Sequence, residues 1–166
     1  MILETTRLNI RELNSASDAE FICALLNTLK FIQYIGDRGV RTAEDAASFI
    51  DDRYRQSYRD HGYGLYAVDV KDGTQIGMCG FVRRDSLPGP DIGFAFLPEF
   101  ERQGFGYESA TAMMKYGRNV LGFSTVYAIT SQDNDASGSL LEKLGFRFDK
   151  IILSGDDTVK LFVSTT

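Results

Sequence analysis

Residues 91–109 constrain the fold of this chain more than any other stretch. Ile92-Gly93-Phe94-Ala95-Phe96-Leu97 reads as a buried strand, and Pro98-Glu99-Phe100-Glu101-Arg102-Gln103 as a polar turn. A helix then opens near Gly104, with Gly106 in its first turn. With no Cβ at either glycine, a ligand can approach the main chain closely. The first N–H groups of a helix lack intrahelical partners and carry the positive end of its dipole. Such a place binds phosphate. Ser109 ends any Gly-x-Gly-x-x-Gly pattern, and there is no Gly-Lys-Ser/Thr ending. On spacing alone, a turn with two convenient glycines is the equally open alternative.

The rest of the chain supplies an ordered set of elements. Arg7 to Glu12 alternates as a first strand, and Ser15, Ser17 and Asp18 are N-cap candidates for a helix carrying Phe21, Ile22, Leu25, Leu26 and Leu29. Phe31 to Val40 reads as a connection. Thr42 and Asp45 form a capping box for a second helix that ends at His61-Gly62. Strands follow at Leu65–Val70 and Gln75–Val82, turned by Asp72-Gly73. Beyond the strand at 92–97 and the helix from Gly104 to about Val120 come a strand at 126–129, a helix at 135–144 stopped by Gly145, and strands at 146–153 and 159–163. Strand, two helices, three strands, helix, strand, helix, two strands describes a mixed α+β domain on a mostly antiparallel sheet. The 166 residues suit a single domain, 1–166.

Composition narrows the partners. A net charge of −5 argues against a nucleic-acid partner, which needs clustered Lys and Arg, and is compatible with a cationic acceptor such as an amine. No apolar run approaches the roughly 20 residues that cross a bilayer, so no membrane association is expected. The N-terminus lacks a basic and apolar secretory pattern, which makes the cytoplasm the expected location. Cys23 and Cys79 form neither a disulfide framework nor a metal-ligand spacing, so no metal is expected.

A second segment, Asn134-Asp135-Ala136-Ser137 followed by Lys143-Leu144-Gly145-Phe146, lies about 30 residues after the glycine turn. Alone, Asn134 is a helix cap. Together and in this order, the two segments resemble the GNAT superfamily of acyl-CoA N-acyltransferases, and within it the branch that acetylates ribosomal-protein N-termini. The signature Arg/Gln-x-x-Gly-x-Gly/Ala is matched by Glu101 to Gly106, and Glu108 matches a Glu common in that branch. The resemblance implies a central, mostly antiparallel, twisted sheet of about seven strands flanked by four helices, with a splayed cofactor cleft between the fourth and fifth strands. It implies acetyl-CoA as cofactor. Its pantetheine arm would lie along Phe94, Ala95, Phe96 and Leu97, and its pyrophosphate at Arg102, Gln103, Gly104, Phe105, Gly106 and Tyr107. Asn134 and Ser137 would face the thiol. Glu101 departs from the signature and is expected to point away from the pyrophosphate.

The implied reaction is direct attack of a neutral amine on the thioester, releasing CoA as product. Asp91 is the candidate base, because it starts the strand bordering the cleft, with Glu99 the alternative carboxylate. A Tyr that many family members carry as acid is replaced by Leu141, leaving Ser137. A backbone N–H near Phe96 would polarise the carbonyl. Cys79 sits in an apolar strand and His61 at a helix end, so neither is read as catalytic. Phe31, Tyr34, Asp37, Arg38 and Arg83 are candidates for holding the amine-bearing acceptor, a protein N-terminus or a small molecule. For Phe31 and Tyr34 a satellite core under the loop is equally available. The contrasting expectation is a non-catalytic module of the same fold that senses acyl-CoA. Either would be a monomer or homodimer.

Overall fold

The computed structural model describes residues 1–166. Eight strands form one sheet: β1 (Leu3–Glu4), β2 (Leu8–Arg11), β3 (Leu65–Val70), β4 (Gln75–Val82), β5 (Asp91–Phe96), β6 (Thr125–Ser131), β7 (Arg147–Ser154) and β8 (Asp157–Thr165). Their spatial order is β1-β2-β3-β4-β5-β6-β8-β7, and every neighbouring pair is antiparallel except β5 with β6. The expected α+β fold is therefore present. Its sheet gains one strand over the sequence reading, because the two residues of β1 pair with Asn9 and Ile10 and are too few to show a period.

Helices cover both faces. α1 (Ala19–Leu26), α2 (Leu29–Tyr34) and α3 (Ala43–Phe49) lie on one side, and α3 continues through a π-helical stretch, Ile50–Arg55, into α4 (Gln56–His61). α5 (Phe105–Asn119) and α6 (Asp135–Lys143) follow β5 and β6. That makes five helical bodies where four are expected. The additional one is α2, inside the presumed connection. Thr28 starts it by accepting the Phe31 N–H at 3.2 Å, and six residues give too little periodicity to find it by pattern. The Thr42–Asp45 capping box forms as read, Gly62 closes α4 at φ +77°, and Gly145 follows α6 at φ +94°.

The strand alternation divides the core. Cys79, Phe81 and Ile92 pack with Ala110, Met113 and Met114 of α5, whereas Ala67 and Met78 join Ile22, Leu25 and Ile50 on the other face. A buried network crosses that second face: Arg11 binds Asp18 through both terminal nitrogens (2.8 and 2.9 Å) and Asp69 through Nε (2.7 Å). Asp18 thus occupies the α1 N-cap position with its carboxylate committed to Arg11 and the Asn14 N–H, not to the helix.

Close approach of β3 and β4 is what aligns β4, and through it β5, with α5. It depends on Gly80, where an added Cβ would stand 2.1 Å from the Gly64 carbonyl oxygen. That oxygen already accepts the Phe81 N–H at 3.0 Å and cannot move aside freely. Gly80→Ala is expected to destabilise the fold by about 2–3 kcal/mol, read as a lowered urea midpoint with an unchanged slope.

Candidate active site

Strands β5 and β6 run parallel but share a single register pair, Asp91 with Tyr127, fixed by the Tyr127 N–H donating to the Pro90 oxygen at 2.9 Å. Beyond it they separate. On its other edge β5 is fully paired with β4, and Leu97 N–H donates to Ile76 O at 2.9 Å. In an antiparallel ladder the bonding direction alternates, so residues 91, 93, 95 and 97 turn their main-chain groups to β4. Phe94 and Phe96 turn theirs into the gap β6 has vacated. A cavity of about 2010 Å³ runs through this gap, from the start of α5 to α2 and the π-helical stretch. Across the gap, the Thr130 hydroxyl of β6 lines the cavity and is buried without any hydrogen-bond partner.

At one end of the cavity the turn into α5 is built to leave donors free. Arg102 (φ +60°) and Gly104 (φ +83°) are both left-handed, and no side chain caps the helix. The first helical bond is Glu108 N–H to Gly104 O at 3.0 Å, leaving the N–H groups of Phe105, Gly106 and Tyr107 without helical partners. A Cβ on Gly106 would press on Leu140 at 3.3 Å and lie 3.7 Å from the Phe96 ring. An uncapped helix start with its first N–H groups free suits an anion.

That turn is splinted from the other end of the chain. Glu108 accepts from the Thr5 hydroxyl (2.7 Å), the Arg7 N–H (3.0 Å) and Arg7 Nε (2.7 Å), and Arg7 also donates to the Gln103 oxygen at 3.0 Å. The Arg7 guanidinium stands 4.3 Å over the Phe105 ring. Burial pushes the Glu108 carboxyl up, but the Thr5 and Arg7 hydrogen bonds outweigh it and hold it below the ordinary carboxylate range. The sequence reading takes Glu108 from its resemblance and misses Arg7 altogether. A partner 101 residues away leaves no local pattern.

The predicted residues distribute as follows. Arg102, Gly104, Gly106, Tyr107, Phe94, Ala95 and Phe96 line the cavity. Leu97, Gln103 and Phe105 do not. Leu97 packs toward α1 and α3, Gln103 ties its amide to Glu99 O at 2.8 Å, and Phe105 is buried beneath Arg7. Glu101 is neutralised by Lys30 of α2. Asn134 caps α6, its Oδ1 accepting the Ser137 N–H at 3.3 Å, and the Ser137 hydroxyl has no partner within the chain. Leu141 is core. Phe31, Tyr34, Arg38 and Arg83 border the opposite end of the cavity. Asp37 does not, because it pairs with Arg41 at 2.5 Å and accepts the Gly39 N–H at 2.9 Å.

Asp91 sits where β5 and β6 part, 1% exposed, with both oxygens 3.2 Å from Arg84 Nε. Burial pushes its carboxyl up to about 6, against the opposing pull of Arg84. Cys79 is fully buried, with its thiol pushed up to about 12, and is chemically inert there. His61 is exposed beside Tyr63, with ring centroids 5.9 Å apart.

With this geometry in view, comparison with known proteins gives one answer. The acetyltransferase (GNAT) domain family matches residues 7–147. An uncharacterized N-acetyltransferase of Bacillus subtilis (strain 168), YoaA, is 32% identical over 154 residues, covering 91% of this chain and 85% of that protein. The chain belongs to the GNAT family of acetyltransferases. Among solved structures, RimL, a ribosomal L7/L12 α-N-protein acetyltransferase in complex with coenzyme A, superposes with a TM-score of 0.83 at 17% identity, covering 99% of this chain and 97% of that one. Spermidine N-acetyltransferase from Vibrio cholerae, in complex with CoA and spermine, gives 0.79 at 17%, covering 97% and 96%. At those identities the likeness is one of fold. No helix is long and apolar enough to cross a membrane.

The buried carboxylate generates a prediction. Below about pH 3 Asp91 is protonated in the folded and unfolded states alike and exacts no cost. As pH rises toward 6 only the unfolded state ionises, so stability is lost, reaching a penalty of about 3 kcal/mol above pH 6. Asp91→Asn is expected to melt about 6–12 °C above wild type at pH 8 and to converge with it near pH 3 in scanning calorimetry.

Proposed function

We propose that this protein transfers the acetyl group of acetyl-CoA to a primary amine by direct attack. The observation that carries the reading is the coincidence, in one cavity, of an anion-binding helix start, an unpaired strand edge and a buried carboxylate. The free N–H groups of residues 105–107, with Arg102 nearby, suit the pyrophosphate. The free main-chain groups of Phe94 and Phe96 and the orphan Thr130 hydroxyl suit a pantetheine arm laid along β5 as an added strand. Acetyl-CoA brings a thioester carbonyl as electrophile.

In this reading the acceptor enters from the α2 side. Asp91 takes a proton from the amine, whose lone pair forms the C–N bond as the C–S bond breaks and its electrons leave on sulfur. A carboxyl near 6 is mostly ionised at neutral pH yet basic enough to accept a proton. In this reading the Phe96 N–H polarises the carbonyl and Ser137 returns a proton to sulfur. Leu141 cannot donate, and thiolate departs readily without a dedicated acid. The ribosomal-protein branch belongs to this proposal as one acceptor class among several, since both protein N-terminal and polyamine acetyltransferases share the fold. We also propose a cytoplasmic location and a monomeric or dimeric state.

Thiol release from acetyl-CoA, followed with a chromogenic disulfide against a panel of amines, tests the reading. Wild type is expected to turn over, with kcat/KM falling tenfold per pH unit below about 6, and Asp91→Asn to lose about 10²-fold or more in kcat while keeping its acetyl-CoA affinity. Unaltered kcat in that variant would remove Asp91 from the role. Tight acetyl-CoA binding with no turnover on any amine would favour a sensing module.

A further inference from the structure

The acceptor end of the cavity carries a group of residues that the proposed acetyl transfer does not use. The helix formed by α3 and α4 widens to a π-helix over Ile50–Arg55 on this wall. Single π-helical insertions within α-helices recur at functional positions, because they re-aim side chains that an α-helix would place elsewhere. Here Arg53 and Tyr54 border the cavity, gathered about one aromatic plate. The Arg53 guanidinium stands 5.7 Å over the Phe49 ring, and the Tyr54 ring meets Phe49 edge-on at 5.3 Å.

Both groups lack partners. Tyr54 is only 8% exposed, yet its hydroxyl makes no hydrogen bond within the chain. Burial pushes this hydroxyl's pKa up, while the positive charges of Arg38 and Arg53 pull it back, which places both guanidiniums within electrostatic reach of it. Neither Arg38 nor Arg53 has a carboxylate partner, whereas Arg7, Arg11, Arg41, Arg55 and Arg84 are all ion-paired. Arg83, also unpaired, stands on the same wall. In a chain of net charge −5, arginines without carboxylate partners on the cavity wall, beside a phenol hydroxyl free to donate, mark a place for an anion.

Resting on the acetyl-transfer reading, we infer that the acceptor is a primary amine that also carries a carboxylate, held by Arg38, Arg53 and the Tyr54 hydroxyl while its amine faces Asp91. Asp52 and Asp60 share this wall, but Gln56 already occupies Asp60 through a 2.7 Å hydrogen bond. Asp133, Asp135, Asp156 and Asp157 lie on the far wall. A polyamine would have to lie along those four and pass the unpaired arginines. An amino carboxylate meets each charge with its opposite. The arginines add a second effect, because neighbouring positive charge favours the neutral, nucleophilic form of the amine. The carboxylate could belong to a free amino acid or to an acidic side chain of a peptide presenting its N-terminus.

The test compares matched acceptors in the thiol-release assay. One arm sets the L-amino acids against their carboxamides, another sets the peptide Ala-Glu-Ala-amide against Ala-Gln-Ala-amide, and spermidine is the third. The expected result is at least tenfold higher kcat/KM for the carboxylate member of one pair, the pair showing which source is used. Arg53→Gln and Tyr54→Phe should each erase most of that preference through KM, leaving the calorimetric affinity for acetyl-CoA unchanged. Equal rates within both pairs, faster turnover of spermidine, or no turnover of any carboxylate acceptor by protein that binds acetyl-CoA would overturn the inference. Absence of acetyl-CoA binding would instead overturn the acetyl-transfer reading beneath it.

Discussion

The parting of β5 from β6 after one shared pair governs the rest of the molecule. A sheet interior is normally closed by its hydrogen bonds, and unpaired main-chain groups there are expensive. This chain keeps the edge of β5 at Phe94 and Phe96 open, and holds it in place from every other side. β4 pairs with the whole opposite edge, α5 packs beneath, and β8 carries β6 away as an antiparallel partner. The gap is thus a product of topology, and it joins the two faces of the sheet into one cavity. A ligand that supplies hydrogen bonds along an extended arm completes the ladder that β6 abandons.

Two further departures from ordinary stability rules lie along the same cavity. The start of α5 forgoes a capping side chain and keeps Arg102 in a left-handed conformation, held by the Arg7–Glu108 splint. Asp91 stays buried at the vertex with Arg84 and its own backbone N–H offsetting only part of its desolvation. Each is a local cost borne where binding or proton transfer can use it. Thr130 extends the pattern, as a buried hydroxyl that lines the cavity with nothing in the chain to bond.

Much of this was legible in the sequence, because it rests on short-range signals. Gly104 and Gly106 show themselves by the absence of a Cβ at a strand-to-helix turn and Asn134 as a cap before a short helix, whereas the cleft that singles out Asp91 came from the family resemblance. What escaped was made by distance or by geometry without a sequence mark. Arg7 reaches Gln103 and Glu108 only once β2 and α5 are packed, α2 is one and a half turns long, and a π-helical stretch has no distinguishing composition. Asp37 looked available and is spent on Arg41, a pairing that i,i+4 spacing predicts only in a helix, and Asp37 lies outside one. Leu97 was one residue too far along, since alternation turns its main chain to β4.

The central claim is that the uncapped, glycine-marked start of α5 holds the pyrophosphate of acetyl-CoA. Calorimetric titration of acetyl-CoA into wild type and into a Gly104→Val, Gly106→Val variant, with circular dichroism to confirm that both are folded, addresses it most directly. The account predicts binding by wild type that the folded variant loses. Failure of wild type to bind at millimolar acetyl-CoA, or equal affinity in the variant, would contradict it.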